Sequence, residues 1–346
     1  MHASIQFIAP GLSTTVQDLG RPGYSRYGVP TGGAIDPVGL RAANILVGNA
    51  SDCGALEIAY VGPSFVVNAN SARIAFFGAS AQIEILNEEL SCEPIRMRTG
   101  QSALLHRGQV VKVGSLSGSA VMYMAIEGGF AIDPVLGSIS TYARGALGGF
   151  EGRRLQAGDR LPLRLHEADE RPEITMELPE DWRRTKFRVV DGAQTDYFSP
   201  EVFDRFCISE YSIGAGSDRM GMRLDGPALT HLRGFNIVSD GIVPGSIQVP
   251  GDGLPIVLLR DHQTTGGYPK IATVISADLA ALGRAPIGST IMFERVSMEA
   301  ASIAFSEMAS DIEQLPNKVR QVELQAGAIE FRLGSCNLIS GVSFAH

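Results

Sequence analysis

Short apolar runs broken by glycine and proline dominate the chain, and few stretches keep a helical period. GSAVMYMAIEGGF, Gly118 to Phe130, has the character of a buried strand running into Gly-Gly-aromatic. GLPIVLLRDHQTTGGY, Gly253 to Tyr268, follows the same order. Each leads on to an apolar run, a small-residue segment and a closing strand around a Gly-Asp or Gly-Ser turn. These closures are RRLQAGDRLPLRL in the first half and APIGSTIMFERV in the second. Ordered similarity of this kind predicts duplication of one β-rich unit. With the Gly-Gly pairs aligned, the second copy carries three more residues, within Asp261-His262-Gln263-Thr264-Thr265. That polar loop therefore reads as an elaboration of a plainer turn.

Three segments read as helices. PVGLRAANILVGN places Leu40, Ala43, Ile45 and Leu46 near helical spacing and stops at Gly48-Asn49. SADLAALGR has Ser276 as an N-cap, Asp278 in the first turn and a stop at Gly283. MEAASIAFSEMASDI opens the tail, and the strand-like AIEFRLG lies further along it. The least patterned stretch, HEADERPEITMELPEDWRRTK from His166 to Lys186, is charged and proline-bearing and reads as an interdomain connection. The expected organisation is an N-terminal domain over residues 1–170, a C-terminal domain over 187–296, and a tail over 297–346 that packs on the core or extends it.

Composition supports a mainly β, globular chain. Forty glycines and eighteen prolines in 346 residues suit many turns between short strands, and two domains suit the length. A formal charge of −8 with dispersed acids argues against nucleic acid as a partner. MHASIQFIAP shows no basic-then-apolar leader, and no apolar run approaches the ~18 residues of a membrane span. Cys53, Cys92, Cys207 and Cys336 have neither metal-ligand spacing nor a disulfide framework. A cytoplasmic protein with no membrane partner is the expectation.

Several chemistries are excluded by motif. There is no GxxxxGK[ST] phosphate loop, no HxH or HExxH, and no GxSxG; GAGSDRMG has more residues between its second and third glycines than a dinucleotide fingerprint allows. Lys112 in VVKVG lacks the setting of a biotin attachment site. No metal site is expected.

Three polar clusters remain. In TTVQDLGRPGY and GVPTGGAID, Asp18 and Arg21 are spaced to pair across a turn, with Asp36 at the end, and either a structural ion pair or ligand contact fits. In SDRMGMRLDG, Arg219 and Arg223 can grip a carboxylate or phosphate, with Asp218 orienting one of them, or form surface ion pairs. The third cluster joins Gln248 of PGSIQVPGDG to the polar loop. There Asp261 can serve as a base, Gln263 can read an amide or ureido group, and Tyr268 can donate its phenol. Thr264, Thr265, Gly266 and Gly267 offer hydroxyls and backbone N–H groups to an anion or oxyanion.

GLSTTVQDLGRPGY, GVPTGGAID, AANILVGN, EGGFAIDPVLGSIST, GGFEGRRLQAGDRLPL, SDRMGMRL, SIQVPGDGLPI and DHQTTGGYPKIATVI together resemble the KipA family. That family is also called allophanate hydrolase subunit 2, the biotin-dependent carboxyltransferase-like family, and the 5-oxoprolinase C-type subunit. The resemblance covers about residues 5–296 and departs from the family's pattern at Gly216 and Met222. It implies two cyclophilin-like β-barrel domains. It also implies partners: a KipI-like B-type subunit and an A-type subunit, with which the chain would make an ATP-dependent 5-oxoprolinase that opens 5-oxoproline to glutamate at a shared site. ATP would then enter through the complex. Asp261, Gln263 and Tyr268 would be catalytic, with Thr264, Thr265, Gly266, Gly267, Gln248, Asp218, Arg219, Asp18, Arg21 and Asp36 binding substrate. One alternative is the carboxyltransferase half of a urea or amide carboxylase, with biotin carried by another chain. A second is a regulatory binding module that catalyses nothing.

Overall fold

A computed structural model describes residues 3–87, 93–179 and 182–322. The strand-like AIEFRLG, Cys92 and Cys336 lie outside the described residues. In chain order the first part comprises β1 (Ser4–Ala9), β2 (Ser13–Gln17), α1 (Pro37–Leu46), β3 (Ala55–Ala59), β4 (Ser64–Val67) and β5 (Ser71–Phe77). It continues with β6 (Ile83–Leu86), β7 (Ile95–Met97), β8 (Ser102–His106), β9 (Val110–Val113), β10 (Val121–Ile126) and β11 (Arg160–Pro162). Two antiparallel sheets result, ordered β11-β1-β4-β9-β6-β7 and β2-β3-β10-β5-β8. Their inner faces share one core: Phe7, Phe65 and Val111 from the first meet Leu56, Phe76 and Met122 from the second.

The unbroken apolar runs have a direct cause. Side chains alternate faces along a strand, so β10 sends Met122, Met124 and Ile126 to the inner core and Val121, Tyr123 and Ala125 outward. The outer face is covered by α1, with Leu40, Ala43 and Leu46 buried on it. Both faces are therefore dry. Pro37 at N1 and the Asp36 carboxylate, which accepts from the Val38 and Gly39 N–H groups, start the helix.

The second part begins with β12 (Ile174–Thr175), then β13 (Lys186–Asp191), α2 (Pro200–Ile208), β14 (Tyr211–Ile213), β15 (Gly221–Asp225), β16 (Asp240–Gly241) and β17 (Ser246–Gln248). Next come β18 (Ile256–Leu258), β19 (Thr265–Gly266), β20 (Lys270–Val274), α3 (Ser276–Arg284), β21 (Thr290–Arg295), α4 (Met298–Glu313) and β22 (Arg320–Gln321). Seven of these strands close a barrel in the order β13-β20-β17-β18-β15-β14-β21, sealed by a parallel pairing of β13 with β21. Phe206 of α2 stacks on Phe293 at 4.7 Å between ring centroids and plugs the barrel core.

One detail differs from the sequence expectation. Gly128 and Gly129 both lie in the left-handed region, at φ 76° and 73°, whereas Gly266 and Gly267 do not, and Gly266 pairs with Asp240 in a short ladder. The polar loop is thus not a lengthened copy of the 127–130 turn, because neither of its glycines has a positive φ and Gly266 instead serves close approach. The connection from His166 to Lys186 packs against the first domain. Met176 and Trp182 are buried in the outer core cluster, and the Trp182 indole N–H donates to the Gly78 carbonyl at 2.6 Å.

The tail crosses back over the domain boundary. α4 packs on α3 and β13, the turn Leu315–Lys318 lies against α1 with Leu315 buried beside Trp182, and β22 pairs antiparallel with β12. On the barrel side, α3 approaches the first domain so closely that a Cβ at Gly283 would sit 2.2 Å from Ile35 Cγ2. The two domains are therefore in contact through backbone-level packing as well as side chains.

Candidate functional site

Buried charge concentrates where the domains meet. Arg219, on the turn before β15, reaches across the boundary to the Glu57 carboxylate of β3. Its guanidinium also donates to both Asp261 oxygens, at 2.8 and 3.0 Å, and to the Gly33 carbonyl at 2.6 Å. The second Glu57 oxygen accepts from the Tyr123 hydroxyl at 2.5 Å and the Ile35 N–H at 2.8 Å. Tyr123 in turn accepts from the Asp36 N–H, and the Asp36 carboxylate binds Arg284 at 3.0 Å. Burial alone lowers the Arg219 pKa, but Glu57 and Asp261 reverse that and leave it raised overall. Tyr123 is pushed well up by burial first and by the Glu57 carboxylate second. This network holds its charges fixed and joins the domains.

A second arrangement opens outward from the barrel. Gln248 at the end of β17, Gln263 and Tyr268 of the polar loop, and Asp218, Arg223 and Arg144 line a cleft of about 310 Å³. Gln248 is 2% exposed, and its Oε1 accepts from Gln263 Nε2 at 3.4 Å, but its own Nε2 is buried with no partner among the described residues. A Cβ at Gly266 would meet that Nε2 at 2.4 Å, so a larger residue there would push the amide aside. A buried donor without an acceptor costs about 1–3 kcal/mol, and a ligand carbonyl relieves that cost once the loop at Gly266 moves aside to bare the amide. Tyr268 is half-exposed at the rim. The only carboxylate on this wall among the described residues, Asp218, accepts from the Met220 and Gly221 N–H groups and faces Arg144 at 3.3 Å.

The sequence candidates therefore fall into separate places. Gln248, Gln263, Tyr268 and Asp218 share the cleft. Asp261 and Arg219 belong to the interdomain network, where Arg219 grips protein carboxylates rather than facing the cleft. Asp218 does not orient either arginine of its segment, since backbone N–H groups and Arg144 take its oxygens. Asp18 is not paired with Arg21: the Ser138 and Ser140 hydroxyls and the Gly20 and Ile139 N–H groups occupy its carboxylate, and Arg21 donates to the Ser140 carbonyl. Asp36 caps α1. Thr265 and Gly266 spend backbone groups on β16, and the Thr264 and Gly267 carbonyls accept from Ile242 and Ile237. This segment is a ladder, and its geometry does not fit a cradle for ATP phosphates; the nearby Lys270 amine is held by Asp240 at 2.9 Å.

A profile of the carboxyltransferase domain, subdomain A and B, matches residues 27–295. The chain belongs to this carboxyltransferase-domain family. It is 37% identical over 314 residues to the 5-oxoprolinase C-type subunit of Escherichia coli, covering 90% of this chain and 97% of that one. It is 36% identical over 295 residues to the corresponding 5-oxoprolinase subunit of Haemophilus influenzae, covering 83% and 90% respectively. Among solved structures, the Kluyveromyces lactis urea carboxylase superposes with a TM-score of 0.81 at 27% identity, over 94% of this chain and 30% of that one. The carboxyltransferase-domain fold here is thus one part of that much longer protein.

Sequence reasoning missed Glu57, Tyr123, Arg284 and Arg144 in this family member. The first two stand in apolar strands, ALEIA and VMYMAI, and a charged or hydroxyl-bearing residue inside such a run is the signal that was available. Among the described residues no group of three or more His, Cys, Asp or Glu side chains is placed to hold a metal, and no helix is long and apolar enough to cross a membrane.

His262 joins the two arrangements through the backbone of the loop. It is buried, its Nδ1 lies 2.6 Å from the Gln263 carbonyl, and that nitrogen therefore carries the proton and donates. Burial is the main cause that lowers its pKa. A His whose folded pKa is depressed adds stability that is present above the unfolded value of about 6.5 and lost as pH falls through the folded one. Wild-type protein is expected to lose more unfolding free energy than His262→Gln between pH 7.5 and 5.5, by no more than about 1.4 kcal/mol per pH unit, read from denaturant titrations at each pH. Parallel pH curves for the two proteins would remove this role.

Proposed function

We propose that the chain is the C-type subunit of an ATP-dependent 5-oxoprolinase and supplies the amide-binding wall of a site completed by a KipI-like B-type subunit. The observation that carries this reading is the partnerless Gln248 amide on a cleft that also presents Gln263 and Tyr268. These are neutral donors and acceptors matched to an N–C=O unit. In this reading Gln248 Nε2 donates to the lactam oxygen, the Gln263 carboxamide meets the lactam N–H, and the Tyr268 phenol covers the open side. Support also comes from the extent of the likeness to the two 5-oxoprolinase C-type subunits, which runs nearly the full length of both. ATP chemistry falls to the rest of the complex, including its A-type subunit, and these residues bind and orient the cyclic amide.

The test is reconstitution with the B-type and A-type subunits and assay of 5-oxoproline-dependent ATP hydrolysis. Turnover should require this chain, and Tyr268→Phe should lower it by about tenfold or more while the complex stays assembled. A complete complex with no such turnover would sink the proposal. The likeness to urea carboxylase favours a second reading, carboxyl transfer from a biotin held by another chain. A biotinylated protein co-purifying with the chain, together with urea-dependent ATP use, would replace the first reading with that one.

A further inference from the structure

A groove of about 890 Å³ runs between α1 of the first domain and the barrel, with α3 and α4 along its side. Val38, Leu279, Met298, Phe305, Met308 and Ile312 give it apolar walls, and Arg41 and Arg260 are its charged residues. Among the described residues, it shares no lining side chain with the cleft of Gln248. In a chain of formal charge −8, none of the described aspartates or glutamates lines it.

Neither arginine is satisfied. The Arg260 guanidinium makes no hydrogen bond or ion pair with any described residue, and Arg41 Nε is buried without a partner among them, its Nη1 only 3.5 Å from Ser51 Oγ. The carboxylates that act on Arg260 from a distance, Glu57 and Asp36, are each bonded to another arginine, Arg219 and Arg284. Burial is the main influence on Arg260 and lowers its pKa, and Arg219 adds to that effect. A half-buried guanidinium on a groove wall with no protein partner, as at Arg260, is one that a carboxylate or phosphate bonds strongly.

We propose that this groove binds an organic anion, with its carboxylate or phosphate on Arg260 and Arg41 and its aliphatic or aromatic body along α3 and α4. The experiment uses the full chain and the anionic dye 1-anilinonaphthalene-8-sulfonate, displaced in turn by octanoate, octyl phosphate, octanol and octylamine. Octanoate or octyl phosphate should displace the dye saturably and at least about tenfold more tightly than octanol or octylamine, the tighter of the two identifying the head group. Arg260→Met and Arg41→Met should each weaken that binding by about tenfold or more. Equal displacement by octanol, unchanged affinity in both arginine variants, or no saturable displacement would overturn the site. Should either arginine variant fail to fold, Ser302→Trp on the exposed face of α4 decides, because an indole there fills the groove: loss of octanoate binding supports the site, and retention overturns it.

Discussion

Replacing Arg219 with methionine is expected to destabilise the protein by about 3–5 kcal/mol, the usual cost of removing one partner from a buried ion pair. Arg219 is bonded at once to Glu57, Asp261 and the Gly33 carbonyl, and both carboxylates are nearly inaccessible to water. Without the guanidinium, two negative charges face each other across the domain boundary. Thermal unfolding checks the magnitude, and a pH series checks the cause. The deficit should shrink at pH 5, where a buried carboxylate with no counter-ion takes up a proton. Combining Arg219→Met with Glu57→Gln should recover part of the loss, because the double change removes one of the stranded charges. A deficit that is the same at pH 5 and pH 8, with no recovery in the double variant, would show that Arg219 acts by packing alone.

Gln248→Leu is expected to do the opposite: the complex loses activity by about a hundredfold while the unfolding temperature is unchanged or higher. The side chain accepts only one long hydrogen bond, and its buried Nε2 has none to lose. Leucine, of similar size, exchanges an unmet donor for apolar contact, and removal of an oxyanion-type donor typically costs about 10²–10³ in rate. Such a division between stability and activity marks a group held in readiness for a ligand. A variant that retains full turnover would show that the Gln248 amide does not meet the substrate.

The β-rich character, α1, α3 and α4 were legible because each rests on local signals: apolar runs of strand length, helical spacing ended by Gly48-Asn49, Asp278 in a first turn, and the helical run MEAASIAFSEMASDI. α2 carried equally local signals, Ser199 as N-cap, Pro200 at N1 and Glu201 in the first turn, and was passed over between two apolar strands. The N-cap of α3 is Ile275 rather than Ser276, a one-residue difference. The candidate site was legible only in part. Motif density pointed to the loop after β18, but motif density cannot tell which side chains turn inward. Asp261 and Gln263 are two positions apart and belong to different arrangements, the first held in the interdomain network and the second on the cleft wall. The partners that decide this, Glu57 and Tyr123, lie far away in sequence, and sequence spacing says nothing about them.

The return of the tail over the boundary bears on how the chain is made. Ile174 lies opposite Gln321, and Trp182 shares its cluster with Leu315, so the outer face of the first domain is completed by residues synthesised after the barrel. On the ribosome, the N-terminal sheets can form early, but the patch around Trp182 stays uncovered until the entire barrel has emerged. A nascent chain stalled before α4 therefore presents an apolar surface that the finished protein hides, and that interval is when it most needs a chaperone.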